Sequence, residues 1–234
     1  MIMENLKIGD SWDKVLNTVL ESNNFKETIS FVSSERQTKE IFPTEENVFK
    51  SFRLTPFNKI VAVILGMDPY PNKHKGQIVA NGLAFSTDVP NYTPPSLKQI
   101  YKAIKNSLYQ DEDTSIENMN LNDWAQQGVF LLNTALTIES GKSGSHLKLW
   151  EEFTTQVIKT IDERNTNVFF CLWGKDAQKF EHLISDSNYI LKAPHPISAS
   201  YKGQAWECDH FKVINEYLRK YNGYEVSWIK PKTS

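Results

Sequence analysis

Three residues of the kinds that hydrolytic chemistry uses stand in matching settings along this chain. Asp68 follows an apolar run, within Gly66-Met67-Asp68-Pro69-Tyr70-Pro71. Asn133 follows Leu131-Leu132, and His195 follows Leu191-Lys192-Ala193-Pro194. A carboxylate, an amide and an imidazole brought together suggest hydrolysis with a polarised leaving group. Taken singly, each has a plainer explanation. Asp-Pro and Asn-Thr are common turn sequences, a histidine beside prolines is ordinary in loops, and Tyr70 and Phe85 serve equally well as core aromatics. Everything depends on whether the fold brings the three to one place.

Four short apolar runs, at 60–65, 129–132, 168–172 and 189–191, have the length and composition of buried parallel strands, each closed by Gly, Asn or Pro. Helical periods lie between them. Trp150, Phe153, Val157, Ile158 and Ile161 mark one buried face. Leu97, Ile100 and Ile104 mark another after Pro94-Pro95-Ser96, with Ser96 expected as its N-cap. Phe211, Ile214 and Leu218 form a last helix that stops at Asn222-Gly223. Helical stretches at 12–20 and 47–52 are expected to cover the sheet edge, making residues 1–45 an N-terminal helical cover. Alternation of strand and helix predicts a single α/β domain whose central, mostly parallel four-stranded sheet carries helices on both faces. The ligand site of such a sheet lies at the carboxyl ends of its strands, where Asp68, Asn133 and His195 fall. The stretch 67–95 is too long for an idle connection.

The bulk numbers bound the rest. A chain of 234 residues with 40% hydrophobic content can bury one substantial core. The net charge of −2 gives no sign of a nucleic-acid partner, so any such face must be local. Cys171 and Cys208 lie far apart without metal-ligand spacing, and Cys171 reads as a buried thiol. The polar first ten residues and the lack of any membrane-length apolar window lead us to expect a cytoplasmic chain.

The strings GMDPYP, NGLAFS, PPSL, LLNTALTIESGKSGSH, LWGKDAQK and KAPHPISAS, in this order, resemble family 1 uracil-DNA glycosylases. The resemblance runs from about Ile60 to Trp228. It implies an enzyme that flips uracil out of DNA and hydrolyses its bond to the sugar, with no lyase activity, metal or organic cofactor. Asp68 matches the family's water-orienting acid, and His195 the histidine that donates to uracil O2 as the base departs. Asn133 matches the amide that reads the base, Phe85 the ring that stacks on it, and Tyr70 the side chain set against C5. Met67 contributes through its backbone. Pro94, Pro95 and Ser96 match a loop pressed on the DNA backbone, and Ser96 and Ser200 would grip phosphates on either side of the flipped nucleotide. Lys73, Lys75, Lys98, Lys102, Lys192 and Lys202 lie in or near these loops and could make a local basic face. Uracil-containing DNA is the implied partner, a proteinaceous glycosylase inhibitor a further candidate partner, and a monomer the expected state.

The chain also departs from the family pattern. Met67 and Pro71 stand where GQDPYH has Gln and His, and the segment from Tyr70 to Asn81 is longer than usual. In the register that keeps His195-Pro196 on the family's His-Pro, HPSPLS becomes Pro196, Ile197, Ser198, Ala199 and Ser200 after the histidine. The leucine that fills the space left by the flipped base is then Ala199. Single-stranded substrate is the expected preference, or a substitute wedge with Ile197 and Tyr201 as the nearest candidates. A glycosylase-like DNA-binding scaffold, such as a polymerase accessory protein, and an enzyme for another damaged pyrimidine are the alternatives.

Overall fold

The structure, a computed structural model, describes residues 7–110 and 119–229. The chain enters through α1 (Asp10–Val15), α2 (Asn17–Leu20) and α3 (Asn23–Glu35). The expected helix at 12–20 is therefore two, broken at Leu16, whose ψ of 13° departs from helix. Ser22 caps α3, its Oγ accepting the Phe25 N–H at 3.2 Å. After β1 (Ile41–Phe42), a short 3₁₀ turn over Glu45–Asn47 takes up the start of the stretch expected as helix, and α4 follows at Lys50–Leu54.

The central sheet then forms from four strands separated by helices. β2 (Ala62–Gly66) leads through the hairpin β3 (Lys73–His74) and β4 (Gln77–Ile78) to α5 (Pro95–Leu108) and α6 (Asn122–Gln126). β5 (Val129–Asn133) leads through β6 (Ile138–Glu139) to α7 (Leu147–Arg164). β7 (Phe169–Trp173), α8 (Lys175–Gln178), β8 (Tyr189–Ala193), α9 (Pro196–Tyr201) and α10 (His210–Asn222) complete it. The strand order is β5-β2-β7-β8, and every pairing in this sheet is parallel, with Ala62 opposite both Val129 and Phe169. β1 and β6 pair antiparallel beside it.

Period-two alternation sends successive side chains to opposite faces. Ala62, Ile64, Leu131 and Cys171 join one buried layer with α5 and α10, while Val63, Leu65, Phe130 and Phe170 join the other with α7. The α/β layering expected of the alternating pattern is thus the fold observed. The N-terminal helices add to one of these layers. They join the second buried layer at the β5 edge of the sheet, where Trp12 finds apolar surface. Its ring stacks on Phe130 at 4.7 Å and meets Phe52 edge-on at 5.0 Å, and its Nε1–H donates to the Thr55 carbonyl at 2.8 Å. Burying one such aromatic contributes about 1.5–3 kcal/mol. β8 differs from the buried strand expected: it is one edge of the sheet, paired only with β7, and of its five residues only Ala193 is buried, whereas β5 at the other edge is buried throughout.

Candidate active site

The carboxyl ends of β2, β5, β7 and β8 open on a cavity of about 470 Å³. Asp68, Tyr70, Phe85, Asn133, Trp173 and His195 all line it. The parallel register explains the meeting: Gly66 lies opposite Asn133, and Trp173 opposite Ala193, so each strand hands its following residue to the same rim.

Asp68 is gripped from one side. Its Oδ2 accepts the Gly144 N–H at 2.6 Å and the Ser143 hydroxyl at 2.9 Å. Oδ1 has no partner among the described residues. Burial pushes the Asp68 carboxyl above its usual range, the two donors pull it down, and the nearby Asp176 carboxylate adds a smaller upward push.

His195 is held as a neutral donor. Its Nδ1 accepts the Ile197 N–H at 3.2 Å, which places the ring proton on Nε2. Burial lowers its pKa, and Asp176 opposes that shift. The Ser198 N–H and hydroxyl both donate to the His195 carbonyl, at 2.9 and 2.7 Å. Close approach from β7 needs glycine: at Gly174, with φ of 88°, a Cβ would stand 2.8 Å from the His195 Cβ.

Asn133 is 6% exposed, and its carboxamide forms no hydrogen bond among the described residues. Its place depends on Gly66, where a Cβ would come within 2.3 Å of Oδ1. Phe85 takes a left-handed backbone, φ 63°, which costs a bulky residue roughly 1–2 kcal/mol. Its loop is tied down on either side. The Ala84 N–H donates to the Leu131 carbonyl at 3.2 Å, and Ser86 Oγ accepts from Asn81 Nδ2 at 2.9 Å and from the Leu121 N–H at 3.0 Å. The Phe85 ring thereby faces the cavity between Trp173 and His195, with centroids at 5.5 and 5.8 Å.

The Tyr70 hydroxyl donates to the Phe85 carbonyl at 3.1 Å and shares a 2.9 Å hydrogen bond with the Ser96 hydroxyl. Burial raises the Tyr70 pKa. Ser96 is not the N-cap of α5. Pro94 takes that position and Pro95 the first helical one, where its missing N–H is no loss, so Ser96 sits buried in the first turn. Met67 lines the cavity while its carbonyl accepts from Thr134 Oγ1 at 2.7 Å and from the Ala135 N–H at 2.9 Å.

At the mouth, Ile197 and Tyr201 line the cavity, and Tyr201 is 83% exposed. Ala199, two residues from each, lies in the buried layer. Ser200 belongs to α9. Of the six lysines expected to form a basic face, Lys73 is paired with Glu40, and Lys192 with Glu181 at 2.8 Å. Lys75, Lys98, Lys102 and Lys202 are exposed without an ion pair among the described residues. Among those residues there is no cluster of three or more His, Cys, Asp or Glu suited to a metal ion, and no helix is long and apolar enough to cross a membrane.

Residues that sequence reasoning missed are the ones acting through others: Ser143 and Gly144 on Asp68, Gly66 behind Asn133, Gly174 behind His195, and Asp176, whose charge acts on both Asp68 and His195. All five lie within strings singled out for resemblance, but nothing local in those strings names their partners.

Residues 53–219 match the family model described as the uracil DNA glycosylase superfamily. The chain belongs to that superfamily. Full-length relatives agree: a uracil-DNA glycosylase of Aliivibrio salmonicida is 41% identical over 94% of this chain and 97% of its own. One of Alkaliphilus metalliredigens is 39% identical over 97% and 98%. Among solved structures, mimivirus uracil-DNA glycosylase superposes with a TM-score of 0.83 at 28% identity, covering 93% of this chain and 86% of that one. A mimivirus variant crystallised in complex with UGI superposes at 0.85 with 27% identity, covering 95% and 91%. The family match spans all four strands of the central sheet.

Proposed function

We propose that this chain is a monofunctional uracil-DNA glycosylase of base-excision repair, and that the cavity at the strand ends receives a uracil flipped out of DNA. The observation that carries this is the convergence of Asp68, Asn133 and His195, from three separate strand ends, on one cavity walled by Phe85 and Trp173. Uracil stacks on Phe85. The Asn133 carboxamide, without a hydrogen bond among the described residues, offers a donor to O4 and an acceptor to N3–H, a pattern that cytosine opposes. Tyr70, pinned by Ser96 and the Phe85 carbonyl, occupies the space that a methyl group on C5 would need.

In the reaction the C1′–N1 bond breaks and its electron pair leaves with the base. His195, neutral with its proton on Nε2, donates a hydrogen bond to the anion forming at O2. Asp68, held through Oδ2, keeps Oδ1 for the water that adds to C1′, accepts the proton that water loses and passes it on to solvent, from which the uracil anion is protonated. The negative charge of Asp68 stabilises the oxocarbenium-like sugar. Ionised Asp68 and neutral His195 are both required.

On the DNA side, the 94–96 segment meets the backbone through exposed Pro95, and α9, which carries Ser198 and Ser200, does so from the other loop. Tyr201 fills the gap left by the flipped base, since it is the large exposed side chain at the mouth while Ala199 is buried. DNA is the partner, and the fit of a UGI-like inhibitor to this face extends the likeness to the mimivirus complex.

Uracil release from matched single- and double-stranded oligonucleotides tests the assignment. The wild type releases uracil from one or both, and Asp68→Asn lowers the rate by about 10²–10⁴-fold, the range for loss of a positioned acid–base group. Competition by free uracil separates this substrate from another damaged pyrimidine. DNA binding with no release by the wild type would point to a scaffold instead.

A further inference from the structure

The lengthened segment after Tyr70 is not a loose loop. Its ladder pairs Lys73 with Ile78 and His74 with Gln77, and the Val79 N–H donates to the Asn72 carbonyl at 3.2 Å. Lys75 and Gly76 form its turn, both left-handed with φ of 48° and 80°, as a two-residue turn between twisted strands requires.

A two-stranded hairpin alone is marginal in water, and this one is fastened on two sides. At its root, Ile78 packs against the small cluster of Phe42, Ala80 and Ile138, Lys73 is paired with Glu40, and the Gly141 N–H donates to the Pro71 carbonyl at 2.8 Å. On its flank, the His74 ring lies flat on Tyr92, with centroids 4.2 Å apart and planes 17° from parallel. Tyr92 sits two residues before Pro94, in the segment that leads to Pro95 and Ser96 on the cavity wall. Pro71, where the hairpin departs, is on that wall too. The hairpin thus bridges two edges of the cavity mouth and holds out Lys75, exposed and without an ion pair among the described residues.

We propose that this hairpin is a DNA-gripping arm: Lys75 contacts a backbone phosphate of the strand that flanks the flipped nucleotide, and the His74–Tyr92 stack fixes its reach. This rests on the uracil-DNA reading above and adds to it a contact outside the base pocket. A fixed cation matters in a chain of net charge −2, because it attracts the polyanion only where the strand must pass.

The test is binding of the full chain, carrying Asp68→Asn to stop turnover, to a fluorescent single-stranded oligonucleotide with one central uracil, across a range of KCl concentrations. Lys75→Gln is expected to weaken binding several-fold at low salt and to flatten the slope of log Kd against log salt by about 0.7, one phosphate contact on a single strand. Lys14→Gln on α1 removes the same charge away from the cavity and serves as the control. Tyr92→Leu, which unstacks His74 but keeps the lysine, is expected to lose part of the same affinity. Equal affinity and slope for Lys75→Gln and its parent, or an equal loss for Lys14→Gln, overturns the arm. Repeating the titration with thymine in place of uracil separates the two proposals. Failure to prefer uracil counts against the pocket assignment alone, while the lysine comparison still reads the arm.

Discussion

Both hydrogen bonds that hold Asp68 end on the same oxygen, and one of them comes from an exposed serine hydroxyl. Ser143→Ala removes a donor that pulls the Asp68 carboxyl down while leaving its burial unchanged, so the carboxyl rises further. Activity needs the ionised form, which is lost as pH falls through that pKa. The acid limb of the kcat profile should therefore move to higher pH and kcat fall several-fold at neutral pH, with Ser143→Thr restoring both. Asp176→Asn should act in the opposite direction. Its carboxylate raises both Asp68 and His195, so its loss extends ionised Asp68 and neutral His195 to lower pH, and the acid limb moves down. A profile that moves the same way in both variants, or in neither, would separate the limb from Asp68.

Elements position these groups through close approaches that only glycine permits. At Gly66, the last residue of β2, a methyl group would overlap Asn133 Oδ1 on the adjacent strand. Gly66→Ala should displace the amide, weakening competition by free uracil about tenfold or more, the cost of one mispaired buried polar contact. At Gly174, after β7, both the left-handed φ and the 2.8 Å approach to His195 oppose a side chain. Gly174→Ala is expected to lower kcat and to destabilise the fold by roughly 1–2 kcal/mol from the backbone alone, read by thermal unfolding. The strands themselves were legible because four apolar runs of strand length allow few alternatives, and each observed strand begins and ends within two residues of its expected place. The start of α5 was less legible. Ser96 has the chemistry of a cap, but Pro94-Pro95 also suits a helix entrance, and the Tyr70 hydroxyl it bonds is 26 residues away.

At the scale of the molecule, the balance of charge is slightly negative, yet Lys75, Lys98 and Lys202, in or next to the segments that line the cavity, are exposed and without an ion pair among the described residues. Strand preference is a property of the cavity mouth as a whole. With Ala199 buried and Tyr201 exposed at the end of α9, Tyr201→Ala should reduce cleavage of duplex substrate more than of single strands, since only duplex requires a filler after unstacking. Equal losses on both substrates, or none, would leave the wedge to another side chain. The direction of α9 decides this point, and it depends on how Pro196 and Ser198 turn the chain after His195 rather than on the composition of the segment.

The sequence by itself determined the parallel sheet, through its apolar runs and the helical periods between them. It also determined the residues that end those strands, and by resemblance the family. These follow from period and spacing, which are local and survive any arrangement of the chain in space. Only the tertiary structure decided which oxygen of Asp68 is held, where the proton of His195 resides, that the N-terminal helices join the second buried layer, and that the long segment after Tyr70 is a fastened hairpin. Each of those depends on contacts between residues far apart in the chain, such as Asp68 with Gly144, Trp12 with Phe130 and His74 with Tyr92. No local pattern encodes them, because a hydrogen bond or a ring stack is chosen by whatever the packed core leaves within reach.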